Sequence, residues 1–191
     1  MVLYMMKYVL LIFGLIMLPA TAVSQVNVLI VYDSQTGNTG LMAKAVADGA
    51  ESVEGVEVLK QKTSETTDDD LMRANAIIVG SPVYNANVTP EVSRFIASWP
   101  FEDQPLKDKI GAAFVTAGGI SAGEEIVQMN ILQSMLVFGM IAVGGPEWTQ
   151  PFGASAITGE YPFDGEPARQ FLDKGYQLGE RVAKLAVRMN S

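Results

Sequence analysis

The chain has 191 residues, of which 49% are hydrophobic and 18% charged, so it can bury a core and is not of the disordered class. It has no Cys and no His, which excludes disulfides, thiolate or imidazole metal sites, cysteine nucleophiles and Ser-His-Asp triads, and no metal site is predicted. Its net charge of −8 disfavours nonspecific binding to nucleic acid. Its chemistry must therefore come from carboxylates, from binding or from a cofactor.

Residues 1–24 are predicted to be a secretory signal peptide. An uninterrupted apolar run, Val9 to Leu18, follows Lys7. The small residues Ala20 and Ala22, or Ala22 and Ser24, fit a small-x-small cleavage site that would start the mature chain at Val23 or Gln25. The alternative is a retained membrane anchor, although the segment is shorter than the ~20 residues that a membrane span needs. In either case residues 25–191 are predicted to form an exported, periplasmic domain. This domain would be attached to a membrane only if residues 1–24 are retained as an anchor.

Short apolar runs alternate with helical patterns along the rest of the chain. The predicted strands are Val26–Tyr32, Val56–Lys60, Ala76–Gly80, Ile110–Thr116 and Met140–Gly144. The predicted helices are Leu41–Val53, Asp70–Ala74, Pro90–Trp99, Glu124–Phe138 and Pro167–Met189, with Asp70 and Thr89 as N-caps. Near-continuous apolar strands separated by helices are typical of a parallel sheet that is covered on both faces. The sequence therefore predicts a doubly wound five-stranded α/β domain of strand order 2-1-3-4-5.

In such a domain, ligands bind beyond the carboxyl ends of the strands, where the winding direction switches. The loop after the first strand consists of Ser34, Gln35, Thr36, Gly37, Asn38 and Thr39. Its hydroxyl groups, and the amides freed by Gly37, would converge on a helix amino terminus that favours an anion. No Lys follows, so this is not a nucleoside-triphosphate loop. The alternative is an ordinary capped turn.

Two further loops follow the third and fourth strands. The candidate ligand residues of the first of these are Pro82, Val83, Tyr84, Asn85 and Asn87. Its Tyr ring is suited to stacking on a planar ligand, and the alternative is a structural turn whose Asn side chains bond their own backbone. The second of these loops contributes Thr116, Ala117, Gly118, Gly119, Ile120 and Ser121. Its glycines let backbone amides approach a planar ligand, and the alternative is a flexible connector.

The run Ser34-x-Thr36-Gly37-x-Thr39 resembles the FMN phosphate motif of the flavodoxins, whose phosphate loop also lacks basic residues. The three loops in this order resemble the flavodoxin-like NAD(P)H-dependent oxidoreductases, above all the WrbA-type quinone oxidoreductases, over nearly all of residues 25–191. The resemblance implies a flavodoxin-like fold and noncovalent FMN. It implies that the first loop holds the phosphate, that Val83 to Asn85 hold the ring and that Thr116 to Ser121 wrap its other side.

Two positions depart from the WrbA-type pattern. A His stands beside the flavin at the end of the fourth helix in that family, and here Phe138 replaces it. We predict that Phe138 lines the flavin pocket, and the alternative is that it packs inward with Leu136 and Met140. The family's segment after the third helix carries a substrate-facing Trp and helps to build a tetramer. Here it is shortened to residues 99–106, in which Trp99 either faces the substrate pocket or anchors the core.

The resemblance implies an FMN oxidoreductase in which hydride passes through N5 of the ring, with NAD(P)H as donor and a small quinone or a redox protein as partner, and the predicted signal peptide implies that this protein is exported. Backbone amides near Gly118 and Gly119 would meet the charge at N1 and O2. The resemblance also implies a homo-oligomer. The alternative is a periplasmic flavodoxin-type electron carrier without its own substrate, whose acidic surface suits a basic redox protein. A third interpretation is a binding module that has lost the flavin.

Overall fold

The computed structural model describes residues 25–191, and the predicted signal segment lies outside these residues. Its strands are β1 (Val26–Tyr32), β2 (Val56–Lys62), β3 (Ala76–Pro82), β4 (Ile110–Ala117), β5 (Ile141–Ala142), β6 (Ala154–Ile157), β7 (Gly159–Glu160) and β8 (Phe163–Asp164). Its helices are α1 (Asn38–Glu51), α2 (Asp68–Arg73), α3 (Pro90–Ala97), α4 (Glu124–Val137) and α5 (Arg169–Met189). Within residues 25–191, every helix is too short or too polar to cross a bilayer.

The main sheet confirms the predicted topology. Its strands are parallel and follow the order β2-β1-β3-β4-β5. The three central strands are almost wholly buried, whereas β2 is partly exposed along its length because it forms an edge. The winding direction switches between β1 and β3, so the loops that follow these two strands open at the same edge.

Hydrophobic cores lie on both faces of the sheet. Val28 and Ile30 of β1 pack into a cluster with α1 and α5, while Leu29 and Val31 pack into a second cluster with α2, α3 and α4. Successive side chains of a strand point to opposite faces, so both sets must be apolar. This explains why the run from Val28 to Val31 shows no polar alternation.

The fifth strand is shorter than predicted and is interrupted. Only Ile141–Ala142 pairs with the start of β4, and the chain returns as β6 to pair in parallel with the end of β4. Gly153 makes this return possible, because it has φ 122° and a Cβ there would overlap the Ala113 carbonyl oxygen. The interruption therefore brings the segment after β6 to the carboxyl end of β4.

The amino terminus of α2 corrects the predicted cap. Thr67, not Asp70, is the N-cap, and its hydroxyl accepts a hydrogen bond from the Asp70 N–H at 3.3 Å. Asp70 is the third helical residue, and its carboxylate accepts from the Thr67 N–H at 2.9 Å, which completes a capping box. The predicted cap of α3 is confirmed, because the Thr89 hydroxyl accepts from the Val92 N–H.

The capping box predicts acid sensitivity. Hydrogen bonds from the Thr67 backbone, then from the Thr67 hydroxyl and Gln61, hold the pKa of Asp70 below its ordinary value. A lowered carboxyl pKa contributes stability that is present above the unfolded value of about 3.9 and is lost as the pH falls through the folded value. We expect Asp70→Asn to lower the urea midpoint at pH 7. The variant should also lose less additional stability than the wild type when the pH falls below about 4.

Urea unfolding at a series of pH values measures this effect. Asp68→Asn removes the same charge from the same helical turn without breaking the capping box, and it should unfold as the wild type does. If the urea midpoints of Asp70→Asn and the wild type differ by the same amount at every pH, the stabilising role of the Asp70 carboxylate in the capping box is contradicted.

Candidate functional site

Backbone hydrogen bonds bring the three predicted loops to the same edge of the sheet. The Asp33 N–H donates to the Gly80 carbonyl at 3.2 Å, and the Val83 N–H donates to the Thr116 carbonyl at 2.7 Å. These bonds continue the pairing of β3 with β1 and β4 into the loops themselves. Ala86 of the second loop also lies beside Gly123 of the third, at whose position a Cβ would be 3.0 Å from the Ala86 Cβ.

The first loop presents unpaired backbone donors. Gly37 precedes α1 with φ 99° and supplies no side-chain cap, and only the Gly40 N–H is capped, by the Ser34 hydroxyl at 3.1 Å. The N–H groups of residues 35–39 have no acceptor within the described part of the chain. Gln35 and Thr36 are exposed. This is a cradle of amide donors at a helix amino terminus, an arrangement that binds phosphate without a basic side chain.

Thr39 has a different position from the one the motif predicts. Its side chain is buried, and its hydroxyl lies 2.7 Å from the hydroxyl of Thr116. The two residues thereby connect the start of α1 to the end of β4, and neither hydroxyl lies on the open face of the loop. Ser34 and Thr36 remain as the hydroxyl groups of the cradle.

The second loop is a tight turn. The N–H groups of Tyr84 and Asn87 each donate to the carbonyl of the other, at 2.8 and 3.0 Å. Asn85 and Ala86 between them have φ of 52° and 59°, the left-handed values of a mirror-image turn, and such values are strained for Ala. Tyr84 is 51% exposed, so the turn presents an aromatic ring at the edge of the sheet. The Asn87 side chain accepts from Asn130.

In the third loop, two backbone N–H groups donate to carboxylates of the protein and two others have no acceptor in residues 25–191. The Ile120 N–H donates to the Glu160 carboxylate at 2.6 Å, and the Ser121 N–H donates to the Glu124 carboxylate at 3.1 Å. The N–H groups of Gly118 and Gly119 find no acceptor in residues 25–191. Ala117, which precedes them, is buried at the end of β4.

Glu160 was not predicted from the sequence. It lies 40 positions after Ile120, in a segment with no helical or strand periodicity. The pairing of β6 with the end of β4 brings it to the loop. The only sequence signal is a set of turn residues, Gly159, Pro162 and Gly165, which is typical of any loop.

The predicted positions of Phe138 and Trp99 in the substrate pocket are wrong. Trp99 is 4% exposed, its ring centroid lies 5.3 Å from that of Phe138, and Phe138 in turn contacts Phe101 at 5.6 Å. Phe138 follows α4 and precedes Gly139, whose carbonyl accepts from the N–H of Asp108 just before β4. This is the amino edge of the sheet, and the eight residues of β4 separate it from the loops by about 25 Å. The alternative of inward packing is the correct one, although Phe138 packs against Trp99, Phe101 and the cluster that contains Met140, whereas Leu136 is exposed.

This packing predicts that Phe138 contributes to stability and not to ligand binding. Phe138→Ala removes two edge-to-face aromatic contacts and should cost about 2–3 kcal/mol of the free energy of unfolding, with flavin affinity changed less than about two-fold. Denaturant unfolding and flavin titration of the same variant measure both quantities. Leu136→Ala is the control, because Leu136 lies on the last turn of α4, two residues before Phe138, and is 57% exposed. Weaker flavin binding by Phe138→Ala at unchanged stability would contradict the placement of Phe138 at the amino edge of the sheet.

The residues at the carboxyl edge fit FMN. The unpaired amides of the first loop, with the hydroxyls of Ser34 and Thr36, match a phosphate, and the loop itself contains no Lys or Arg. The exposed ring of Tyr84 can cover one face of an isoalloxazine. The unpaired N–H groups of Gly118 and Gly119 can donate to its carbonyl oxygens.

Comparisons with known proteins agree with this fit. The sequence model of the family described as NADPH-dependent FMN reductase matches residues 26–155. A flavodoxin of Aquifex aeolicus (strain VF5) is 35% identical over 168 residues, which cover 82% of this chain and 87% of the relative. A protein of Archaeoglobus fulgidus named NAD(P)H dehydrogenase (quinone) is 28% identical over 190 residues, which cover 85% of this chain and 98% of the relative.

Solved structures show the same fold. The flavodoxin, WrbA-like protein from Agrobacterium tumefaciens matches with a TM-score of 0.71 at 23% identity, over 87% of this chain and 99% of that chain. A flavodoxin from the domain Archaea matches with a TM-score of 0.67 at 27% identity, over 84% and 98%. The flavodoxin-like fold predicted from the three loops is therefore confirmed, and the chain belongs to the NADPH-dependent FMN reductase family of FMN-binding, flavodoxin-like oxidoreductases.

Proposed function

We propose that the chain is an exported FMN oxidoreductase that transfers electrons from a reduced nicotinamide to a small quinone. The observation that carries this proposal is the convergence, on one edge of a chain with no His and no Cys, of two loops with unpaired amide donors and a third loop with an exposed Tyr ring. Such a site can bind and orient a cofactor but supplies little proton-transfer chemistry of its own. The family match and the relative named NAD(P)H dehydrogenase (quinone) support the nicotinamide and quinone assignments.

Each loop has a separate task in this proposal. The amides of residues 35–39, with the hydroxyls of Ser34 and Thr36, hold the phosphate. Tyr84 covers a ring face and keeps water from it. The N–H groups of Gly118 and Gly119 stabilise negative charge on the carbonyl side of the ring, where no cationic side chain is needed. When bound, FMN supplies the redox chemistry by accepting and donating a hydride equivalent.

Export is a separate proposal that rests on residues 1–24. Lys7, the apolar run that follows it and the Ala22-x-Ser24 site support a cleaved signal peptide. Cell fractionation with amino-terminal sequencing of the protein tests this, and the mature chain is expected to begin at Val23 or Gln25 in the exported fraction. Full-length protein that is soluble in the cytoplasm would contradict export.

An electron carrier without its own substrate is the second candidate. Only Lys7 is charged in residues 1–24, so residues 25–191 carry 12 Lys and Arg against 21 Asp and Glu, a net charge of −9. An acidic protein is steered electrostatically towards basic redox proteins. In addition, NAD(P)H is not normally present outside the cytoplasm, so an exported protein would need another electron donor. The flavodoxin relative of Aquifex aeolicus supports this candidate.

Anaerobic mixing of the FMN-loaded protein with NADPH or NADH distinguishes the two functions. The enzyme is expected to bleach its flavin absorbance with a nicotinamide and to recover it when a quinone is added. The carrier is expected to react with neither nicotinamide and to show two well-separated one-electron midpoint potentials. A colourless protein that fails to bind added FMN at micromolar concentration would contradict both functions.

A further inference from the structure

A short hairpin after β6 connects the third loop to the start of α1. It is formed by β7 and β8, which pair through Gly159 with Asp164 and through Glu160 with Phe163. At its base, the Thr158 N–H donates to the Ala117 carbonyl at 2.9 Å and the Gly165 N–H donates to the Thr158 carbonyl at 3.0 Å. We refer to residues 158–165 as the site hairpin.

The site hairpin is bonded to the first loop as well as to the third. The Asn38 side-chain amide donates to the Gly165 carbonyl at 3.1 Å, across 127 positions of sequence. Asn38 is the first residue of α1, next to the cradle of unpaired amides. The hairpin therefore closes the gap between the loop that fits the phosphate and the loop that fits the ring.

Glu160 makes the closest contact between the hairpin and the third loop. Its carboxylate oxygen Oε2 accepts from the Ile120 N–H at 2.6 Å, and a Cβ at Gly119 would lie 3.0 Å from the same oxygen. The backbones are also in contact, because a Cβ at Gly159 would lie 2.7 Å from the Gly118 carbonyl oxygen. The segment from Gly118 to Ile120 is thus covered by the hairpin on one side.

The bond from Ile120 is also the one hydrogen bond that the Glu160 carboxylate makes within residues 25–191. Its carboxylate forms no ion pair in residues 25–191, although it is exposed. Hydrogen bonds to an ionised acceptor are stronger than neutral ones and fix the donor more tightly. With Ile120 held by Glu160 and Ser121 held by Glu124, the N–H groups that stay available in the first half of the loop are those of Gly118 and Gly119.

We propose that Glu160 is a positioning residue for the flavin ring. Its carboxylate holds the Ile120 amide and so fixes the third loop in the conformation that presents the N–H groups of Gly118 and Gly119. This role rests on FMN binding and is independent of the electron donor and acceptor. Because Glu160 acts on the ring loop and not on the phosphate cradle, its removal should weaken binding of FMN and of riboflavin by the same factor.

The test compares dissociation constants for FMN and riboflavin in the wild type and three variants, by quenching of flavin fluorescence. Glu160→Ala is expected to raise both constants about ten-fold, the loss typical of a bond to a charged group. Glu160→Gln keeps an acceptor oxygen and should restore most of the affinity. Asp164→Ala removes the same charge from the opposite strand of the hairpin, where Asp164 pairs with Gly159 and its carboxylate has no bond to the loop in the described chain, and it should change either constant less than about two-fold.

Amide hydrogen exchange in the cofactor-free protein gives a second readout. Exchange at Ile120 should be about ten-fold faster in Glu160→Ala, because the amide loses its acceptor. Unchanged affinities, an equal loss in Asp164→Ala, or a loss for FMN alone would overturn the role. Tighter flavin binding in Glu160→Ala would also overturn it, since the carboxylate would then compete with the ring. A wild type that binds neither flavin would contradict FMN binding itself, whereas normal wild-type binding with unaffected variants overturns only the role of Glu160.

Discussion

Replacing Gly179 by Ala is expected to lower the free energy of unfolding by about 3 kcal/mol. Gly179 lies on the face of α5 that packs against α1, and a Cβ there would overlap the Val46 carbonyl oxygen. That oxygen belongs to the backbone of α1, so it cannot turn away as a side chain can. The helices must separate to admit a single methyl group, and packing between them is lost.

Gly175→Ala is the matched control for this prediction. Gly175 lies on the same helix one turn earlier and is also buried, but a Cβ there would be 3.4 Å from the side chains of Ala45 and Met42. That is near an ordinary contact distance, and Ala is the better helix former, so the free energy of unfolding should change by less than about 1 kcal/mol. Urea unfolding measures both variants. Equal losses in the two would show that α1 and α5 are not held at the distance that Gly179 requires.

A carboxylate in the first loop is expected to abolish the preference for FMN over riboflavin. Thr36→Asp places a negative charge in the cradle of amides, in a loop that contains no Lys or Arg. Two unit charges about 6 Å apart at an effective dielectric constant of about 20 repel by about 2.8 kcal/mol, which corresponds to about 100-fold in affinity for the phosphate. Riboflavin lacks the phosphate, so its dissociation constant should change less than about three-fold.

Titration of each flavin by fluorescence quenching measures the dissociation constants for FMN and riboflavin, and hence their ratio. Thr36→Asn is nearly the same size as Thr36→Asp and carries no charge, so it should retain most of the FMN affinity. Thr36 is exposed, and neither variant should alter the unfolding midpoint. An equal loss of FMN and riboflavin in Thr36→Asp would mean that the first loop does not hold the phosphate. Together with Glu160→Ala, which should affect both flavins equally, this separates the phosphate half of the site from the ring half.

Phe138 shows how topology and resemblance can disagree. A helix that connects two parallel strands begins at the carboxyl edge of the sheet and ends at the amino edge. The end of α4 therefore lies away from the loops, as its contact with Trp99 at the start of the shortened segment confirms. The same rule holds for every sheet of this topology, so the flavin-side His of the WrbA-type family and Phe138 do not occupy equivalent positions, and the equivalence that the sequence suggested was wrong.

The sequence by itself determined the parallel sheet, its strand order and the three loops at the carboxyl edge. These follow from local signals, because strands buried on both faces are continuously apolar, and Gly, Ser, Thr and Asn mark the turns between them. Only the tertiary structure decided that the fifth strand is split, that Thr39 bonds Thr116 across 77 positions and that Glu160 reaches Ile120. Each of these contacts joins segments far apart along the chain, and each depends on how whole elements pack against one another, which no local pattern encodes.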